Sequence, residues 1–348
     1  MIEYKRIFIL GAGFSKAFSI RMPQIADLTE ELLSIDPKKN DNLYVDLRGF
    51  ADQFPSFKQK GEERIKTIEN IATVIFSKKI FTDFYEREYY NRLHYQMLRF
   101  VYEKTHKYNV DEDKIDVLSR FLKYCQEEHS KGITEFKINL IITFNYDLLI
   151  ERCIREKLYR EIHIDYGLPL QKYSTLKIKP SPFHTRPLQY LKLHGSFNWF
   201  LAKGADDCNI DSIYQLDEKD EYDEEDENLF IHEEDVPVFI PMAHAKESFL
   251  CGTLYNTLWT KISKYIDKSE GIIFIGYGFP ETDVNNLCFF YDYKEKIREI
   301  VVWYENDNDP NLKRLRSIFG NEKVLNFDGA EYILNGLKNG FPLKTSRE

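Results

Sequence analysis

A glycine-rich turn close to the amino terminus constrains this chain most. The apolar run Ile7–Leu10 is followed directly by Gly11-Ala12-Gly13-Phe14-Ser15, the pattern of a first β-strand that breaks into a loop and a helix. Glycine permits close approach of the backbone, and the amides at the start of the helix can receive an anion. The turn therefore makes a nucleotide the first ligand to consider. The third glycine of the usual dinucleotide motif is replaced by Lys16, so the turn alone also fits a purely structural strand-to-helix connection.

Three later segments end in a similar way, with an apolar run followed at once by glycine or polar residues. The three segments are Asn139–Thr143 before Phe144-Asn145-Tyr146-Asp147, Tyr190–Leu193 before His194-Gly195-Ser196, and Ile272–Ile275 before Gly276-Tyr277-Gly278. Ligands of open parallel sheets bind outside the carboxyl ends of the strands. The alternation of apolar strands and helices predicts an α/β fold with a doubly wound, Rossmann-like parallel sheet. Its strand ends would bring these residues to one edge.

The polar residues at these strand ends suit cleavage of an N-glycosidic bond in a bound nucleotide, and the family resemblance described below implies that the leaving group is a cationic nicotinamide. Such a cleavage passes through an oxocarbenium-like state that needs stabilisation of positive charge and a nucleophile. Asn145 offers a donor and an acceptor for a water or a ribose hydroxyl. His194 could accept a proton near neutral pH, and Asp147 could bind the nicotinamide carboxamide or the ribose. Asn145 and Asp147 also fit a turn and a helix cap, and a histidine before glycine can be structural.

A second group of residues is predicted to bind the rest of the nucleotide. Ser15, Gly276 and Gly278 would line the phosphates and the adenosine. Glu305, at the end of a strand predicted at 299–304, could accept hydrogen bonds from ribose hydroxyls or be a solvated strand end. Asp283 follows the second glycine turn, where it could instead complement the dipole of the next helix. The histidines show no metal-ligand spacing, so no metal is expected.

Taken in order, the motifs resemble the sirtuin-like NAD-consuming family, and specifically its prokaryotic branch that is often found in anti-phage defence. The resemblance spans roughly residues 5–305, including Pro237–Pro241 and Leu254–Trp259. It implies that Asn145 and His194 are the catalytic Asn and His, that Asp147 contacts nicotinamide, and that NAD+ is the substrate. Sirtuin deacylases carry a four-cysteine zinc module and a Gly-x-Ser turn. This chain has no such cysteine spacing and reads Gly276-Tyr277-Gly278-Phe279, which favours water as the acceptor.

The leading hypothesis is therefore an NAD+ hydrolase that releases nicotinamide and ADP-ribose and stops phage growth by depleting NAD+. The alternatives are a nucleotide-binding regulatory or scaffold subunit without turnover and, third, a deacylase or ADP-ribosyl transferase. Unrestrained hydrolysis would kill the host, so activity must be gated. The resemblance implies a homo-oligomer and a partner encoded alongside, such as a hexameric ATPase of the helicase type.

Composition sets the remaining bounds. The 348 residues are 43% hydrophobic and 15% aromatic, which indicates a globular chain. No C-x-x-C pair, signal peptide or apolar stretch of about 18 residues occurs, so a cytoplasmic protein without a membrane span is expected. Between Asp217 and Glu227 lie nine acidic residues and one lysine, and the rest of the chain is nearly neutral. No direct nucleic-acid binding is therefore predicted.

The chain is predicted to form a single NAD-binding domain over residues 1–348. Within it, a helical insertion is expected at about 62–131, because the apolar residues there recur at helical spacing. An acidic loop is expected at about 204–235, either a solvated surface segment or a docking segment for a basic partner.

Overall fold

The computed structural model describes residues 3–23, 25–36, 44–53, 58–59, 62–63, 67–81, 84–106, 108–127, 129–130, 136–159, 161–173, 187–201, 212–216, 236–240, 253–280 and 283–342. The acidic run between Asp217 and Glu227 lies outside these residues. Of the eight histidines considered for metal-ligand spacing, three also lie outside them: His184, His232 and His244.

A mostly parallel sheet forms the centre of the molecule. Its strands are β1 (Glu3–Leu10), β4 (His129–Ser130), β5 (Phe136–Thr143), β6 (Ile164–Asp165), β8 (Leu188–Lys192), β12 (Ile272–Ile275), β13 (Ile297–Val302) and β14 (Val324–Asn326). The strand order is β14-β13-β12-β1-β5-β8-β6, with parallel neighbours throughout, and β4 pairs antiparallel with β5. The predicted doubly wound α/β fold is confirmed.

The central strands are apolar on both faces because helices cover both sides of the sheet. Ile7, Phe8, Ile9 and Leu10 of β1 are fully buried, as is the whole of β12. Such continuous apolar runs are typical of parallel strands covered on both faces. From β1 the chain winds outward through β5 and β8, then returns to the other side of β1 to form β12, β13 and β14. The order therefore reverses between β1 and β12, which is the point where open α/β sheets bind ligands.

Helices connect and flank these strands. They are α1 (Ala12–Phe18), α2 (Ile25–Ser34), α3 (Val45–Gln53), α4 (Ile68–Phe81), α5 (Phe84–Thr105), α6 (Ile115–Gln126), α7 (Leu149–Cys153) continued by a π-helical turn (Ile154–Leu158), α8 (Thr253–Asp267), α9 (Val284–Asp292), α10 (Pro310–Phe319) and α11 (Gly329–Asn339). Within the described part of the chain, no helix is long and apolar enough to cross a bilayer.

A second, four-stranded sheet with both antiparallel and parallel pairs was not predicted from the sequence. Its order is β11-β9-β10-β7, from the strands β7 (Gln171–Tyr173), β9 (Gly195–Leu201), β10 (Ile213–Leu216) and β11 (Val236–Phe239). A separate short hairpin joins β2 (Lys58–Gln59) to β3 (Glu62–Glu63). Strand β9 begins directly after His194, so this histidine lies at a corner where the chain passes from one sheet to the other.

Two apolar cores hold these layers together. The larger core surrounds the parallel sheet and includes Leu118, Phe121 and Leu122 of α6. The smaller core joins α2, α3, α4 and α5 to Phe197 and Phe200 of β9. The helices between β1 and β5 are thus divided, since α6 packs on the parallel sheet whereas α4 and α5 pack beside the four-stranded sheet.

Candidate functional site

The register of the parallel strands brings the predicted site residues to one edge. Leu10 of β1 is paired with Thr143 of β5 and with Ile275 of β12, and Thr143 is paired with Lys192 of β8. The next residues along these strands lead to Gly11, Asn145, His194 and Gly276. The four strand ends therefore meet at the carboxyl edge, next to the reversal in strand order.

The two glycine turns are bonded to each other. The amide of Gly11 donates to the carbonyl of Ile275 at 3.0 Å, and the amide of Gly13 donates to the carbonyl of Gly276 at 2.9 Å. Gly276 has a φ of +70°, and a Cβ placed on it would lie 1.9 Å from the amide nitrogen of Phe14. These glycines are therefore required for contact between the two loops, whatever their role toward a ligand. Ala12 and Gly13 are exposed at this edge, so small residues face the position expected for a nucleotide.

Ser15, Asn145 and Asp147 form one hydrogen-bonded set. The Asn145 Nδ2 donates to the carbonyl of Gly11 and to the Ser15 Oγ, both at 2.8 Å. The Ser15 hydroxyl in turn donates to the Asp147 Oδ2 at 2.5 Å. Because both Nδ2 hydrogens are engaged, the orientation of the Asn145 amide group is fixed. Its Oδ1 is then the atom that can accept a hydrogen bond from a ligand or a water. The structure places the Ser15 hydroxyl between Asn145 and Asp147. The contact of Ser15 with the phosphates stays a prediction.

The turn that carries this set is held by Thr143. The backbone amide of Asn145 donates to the Thr143 Oγ1 at 2.9 Å, and the Thr143 hydroxyl donates to the carbonyl of Leu10 at 3.1 Å. The Asp147 Oδ1 accepts from the amide of Leu149 at 3.2 Å, close to the start of α7. Each carboxylate oxygen of Asp147 thus has a different partner. Leu148 is the N-cap residue of α7, so Asp147 bonds the first helical amide from one residue outside the cap, and its contact with a ligand stays a prediction.

His194 is buried at the neighbouring strand end, with 7% of its surface exposed. Its ring lies 5.1 Å from the ring of Phe144 in an edge arrangement, and its carbonyl accepts from the amide of Ile240 at 2.8 Å. Phe144 also stacks on Tyr277, with centroids 4.3 Å apart. An aromatic row therefore links His194 to the second glycine turn and fixes the position of the imidazole.

Asp283 lies in the interior and accepts a hydrogen bond from the protein itself. Its Oδ2 receives the Tyr277 hydroxyl at 2.8 Å, and Asn286 Nδ2 donates to the same hydroxyl at 2.9 Å. Burial, with the nearby Asp283 charge as the next cause, raises the pKa of Tyr277 well above its usual value. The Tyr277 phenol therefore stays protonated and acts as a donor to Asp283.

Gly278 and Glu305 lie farther along the same edge. The carbonyls of Gly278 and Phe279 accept from the Arg314 guanidinium, the first at 3.3 Å. A Cβ on Gly278 would lie 3.0 Å from the Tyr304 hydroxyl. Strand β13 ends at Val302 rather than at the predicted residue 304. The backbone amide of Tyr304 donates to the Asn326 Oδ1 at 2.8 Å, so it makes no ladder bond to a neighbouring strand. Glu305 is therefore exposed beyond the strand.

Comparison with known families places this site in context. A family model described as a SIR2-like domain matches residues 139–322, which is more than half of the chain. The chain belongs to the SIR2-like domain family. Family membership indicates an NAD-dependent activity, and the matched range contains Asn145, Asp147, His194 and Gly276.

Solved structures of Sir2 proteins resemble this SIR2-like chain over almost its whole length. A structure described for the mechanism and regulation of Sir2 enzymes has a TM-score of 0.42 at 11% identity, covering 97% of this chain and 93% of its own. Sir2Tm bound to a propionylated peptide gives 0.41 at 11% identity, with coverages of 97% and 94%. A Sir2–p53 peptide–NAD+ complex gives 0.37 at 12% identity, with coverages of 97% and 94%. No curated protein matches this chain.

Two buried charged residues near the site, Lys192 and Glu151, were not predicted as site residues from the sequence. The Lys192 ammonium donates to the carbonyl of Asp147 at 2.6 Å and to the Glu151 carboxylate at 2.9 Å. The available signal was a lysine within the apolar run Tyr190–Leu193.

In the described ranges, no group of three or more His, Cys, Asp and Glu side chains is arranged to hold a metal ion.

Proposed function

We propose that this SIR2-like protein hydrolyses NAD+ to nicotinamide and ADP-ribose. The observation that supports this proposal is the bonded set of Ser15, Asn145 and Asp147, which lies beside the strand end that carries His194. This set lies at the reversal point of the sheet, where the exposed Ala12 and Gly13 leave room for the phosphates.

Asn145 and His194 would act on the attacking water. The oriented Oδ1 of Asn145 accepts a hydrogen bond from the water or from a hydroxyl of the nicotinamide ribose. The water oxygen bonds to the anomeric carbon as the N-glycosidic bond breaks. The electron pair of the broken C–N bond passes to the pyridinium nitrogen. The proton lost from the water passes to His194, so the products are neutral nicotinamide and ADP-ribose. A positioned general base of this kind contributes about a hundredfold to ten-thousandfold in rate.

Asp147 would act on the nicotinamide side of the bond. Its carboxylate is fixed by the Ser15 hydroxyl and by the Leu149 amide. A fixed negative charge stabilises the positive charge that develops on the ribose, because it needs no reorganisation during the reaction. The same carboxylate can accept the N–H of the carboxamide.

Water rather than acyl-lysine is the proposed acceptor. The sequence lacks the cysteine spacing of the zinc module found in sirtuin deacylases and has Gly278 where they have serine. Acetyl-lysine peptides with NAD+ should therefore yield no O-acyl-ADP-ribose at a rate near that of NAD+ hydrolysis, which mass spectrometry tests. Stoichiometric formation of that product would replace the hydrolase assignment with a deacylase.

The proposed biological role is anti-phage defence by NAD+ depletion in the cytoplasm. The order of the sequence motifs, which resembles the prokaryotic defence branch, supports this role. Since constant NAD+ loss would kill the host, the activity is proposed to be gated by homo-oligomerisation or by a partner such as a hexameric helicase-type ATPase.

Incubation with NAD+ tests the function directly. The protein is assayed alone and together with the products of neighbouring genes, and nicotinamide and ADP-ribose are separated by chromatography. Equal release of both products supports hydrolysis. Binding of NAD+ by the assembled complex with no loss over hours would instead show a non-catalytic nucleotide-binding subunit.

A further inference from the structure

Lys192 lies directly behind the turn that carries Asn145 and Asp147. It is the last residue of β8, two positions before His194, and its side chain is fully buried. The ammonium reaches across to the next strand end, where it donates to the carbonyl of Asp147 at 2.6 Å and approaches that of Tyr146 at 3.5 Å. A single side chain thus connects the strand end that bears the general base with the turn that bears the amide and the carboxylate.

Glu151 balances the charge of this lysine from the first turn of α7. The Glu151 Oε1 accepts from Lys192 at 2.9 Å and from the Tyr166 hydroxyl at 3.1 Å. The Glu151 side chain is only 6% exposed, so the two charges neutralise each other inside the protein. An unbalanced positive charge here would oppose the oxocarbenium-like state on the other side of the turn.

A buried ion pair is a poor way to gain stability. Removing two charges from water costs several kcal/mol for each ion, and well-packed apolar residues of similar volume are often as stable or more so. Apolar side chains could fill the space between β8 and α7, but they could not donate to the carbonyl of Asp147. The bond from Lys192 therefore has a role that packing alone does not require.

We propose that Lys192 and Glu151 are a positioning pair that fixes the Asn145–Asp147 turn relative to His194. The inference rests on the proposed hydrolysis for its kinetic consequence, but its structural consequence is independent of turnover. Displacement of reacting groups by about 1 Å can cost a hundredfold in rate. Loss of the pair should therefore lower kcat rather than weaken NAD+ binding.

The test is the double variant Lys192→Met/Glu151→Leu, in which both charges are replaced together. Its control is Lys137→Met/Glu270→Gln. Lys137 is also a buried strand lysine near the opposite end of β5, where it pairs with the more exposed Glu270 at 2.6 Å and Glu3 at 3.2 Å. Three quantities are measured for each protein: the thermal midpoint, kcat and KM for NAD+, and hydrogen exchange of the peptide covering residues 144–149.

The Lys192→Met/Glu151→Leu protein should keep a thermal midpoint close to wild type. Its kcat should fall about tenfold to a hundredfold with little change in KM, and amides 144–149 should exchange faster. The control should keep wild-type kcat and wild-type exchange in this peptide. A double variant with wild-type kcat and wild-type exchange would overturn the positioning role.

The positioning role can still be tested if the double variant folds poorly or if the protein does not hydrolyse NAD+. If the double variant folds poorly, Glu151→Gln keeps the shape of the side chain but leaves the Lys192 charge unbalanced, and it is measured in the same way. Lower kcat with faster exchange supports the pair, and no change in either overturns it. If the wild-type assembly binds NAD+ but releases no nicotinamide, the hydrolase proposal fails, while exchange at 144–149 still decides whether the pair orders the turn.

Discussion

The Ser15 hydroxyl donates to the Asp147 carboxylate across 2.5 Å, although the two residues are 132 positions apart in the chain. Ser15 lies in α1, after the first glycine turn, and Asp147 follows the adjacent strand β5. The same hydroxyl accepts from Asn145 at 2.8 Å. The first glycine motif therefore contributes a side chain to the proposed reaction centre as well as a backbone loop.

Replacement of Ser15 by alanine should lower NAD+ turnover about tenfold or more. Loss of one partner from a buried charged hydrogen bond typically costs about 1.5–3 kcal/mol, and 1.4 kcal/mol corresponds to a factor of ten. The measurement is kcat/KM by nicotinamide release. Ser269→Ala is the matched control, because Ser269 is also buried and bonded to a carbonyl, at the amino end of β12. A Ser15→Ala protein as active as the control would contradict this role.

Gly276→Ala should destabilise the fold severely, by about 4 kcal/mol or more. The residue has a positive φ of 70°, and the new Cβ would collide with the backbone of Gly13 and Phe14. Gly49→Ala is the control, because a Cβ there meets nothing within 4 Å and the site is within α3. The control should be stabilised by about 0.5–1 kcal/mol. Denaturant unfolding measures both, and equal stability of the two variants would exclude the tight loop contact.

Alkaline pH should destabilise the protein through its buried tyrosines. Burial raises the pKa of Tyr190, Tyr277 and Tyr332 above the usual value near 10. Their contribution to stability is therefore complete below about pH 10 and is lost as pH rises further, because the unfolded chain ionises first. Absorbance of phenolate should show part of the 23 tyrosines titrating only together with loss of far-ultraviolet circular dichroism. Titration of all 23 near pH 10 in a folded protein would contradict the burial.

The central sheet and its edge could be predicted because their signals are local. Apolar runs such as Ile272–Ile275 and the glycines that follow them mark both the strand and the point where it ends. The convergence of Asn145 and His194 then follows from parallel strands alone. Their roles in NAD+ cleavage stay predictions.

The four-stranded second sheet and the hydrogen-bond partners within the site could not be predicted in this way. Strands such as Gln171–Tyr173 are too short for a period to be read, and β9 is buried on both faces, so it does not alternate. The bonds of Ser15 to Asp147 and of Lys192 to Glu151 depend on tertiary placement. A lysine in an apolar strand can extend its ammonium to solvent or bury it in an ion pair, and the sequence does not distinguish the two.

The most direct test of the proposed reaction compares four variants in one NAD+ assay, using the assembly in which wild type is active. Asn145→Ala and His194→Ala should each lower nicotinamide and ADP-ribose release by about a hundredfold to ten-thousandfold. Asn139→Ala, on the same strand as the Asn145 turn, and His163→Ala, at an exposed position, should keep activity near wild type. Circular dichroism verifies that all four proteins are folded. Loss of release only in the first two variants is the predicted result, and a fully active, folded His194→Ala protein would contradict the mechanism.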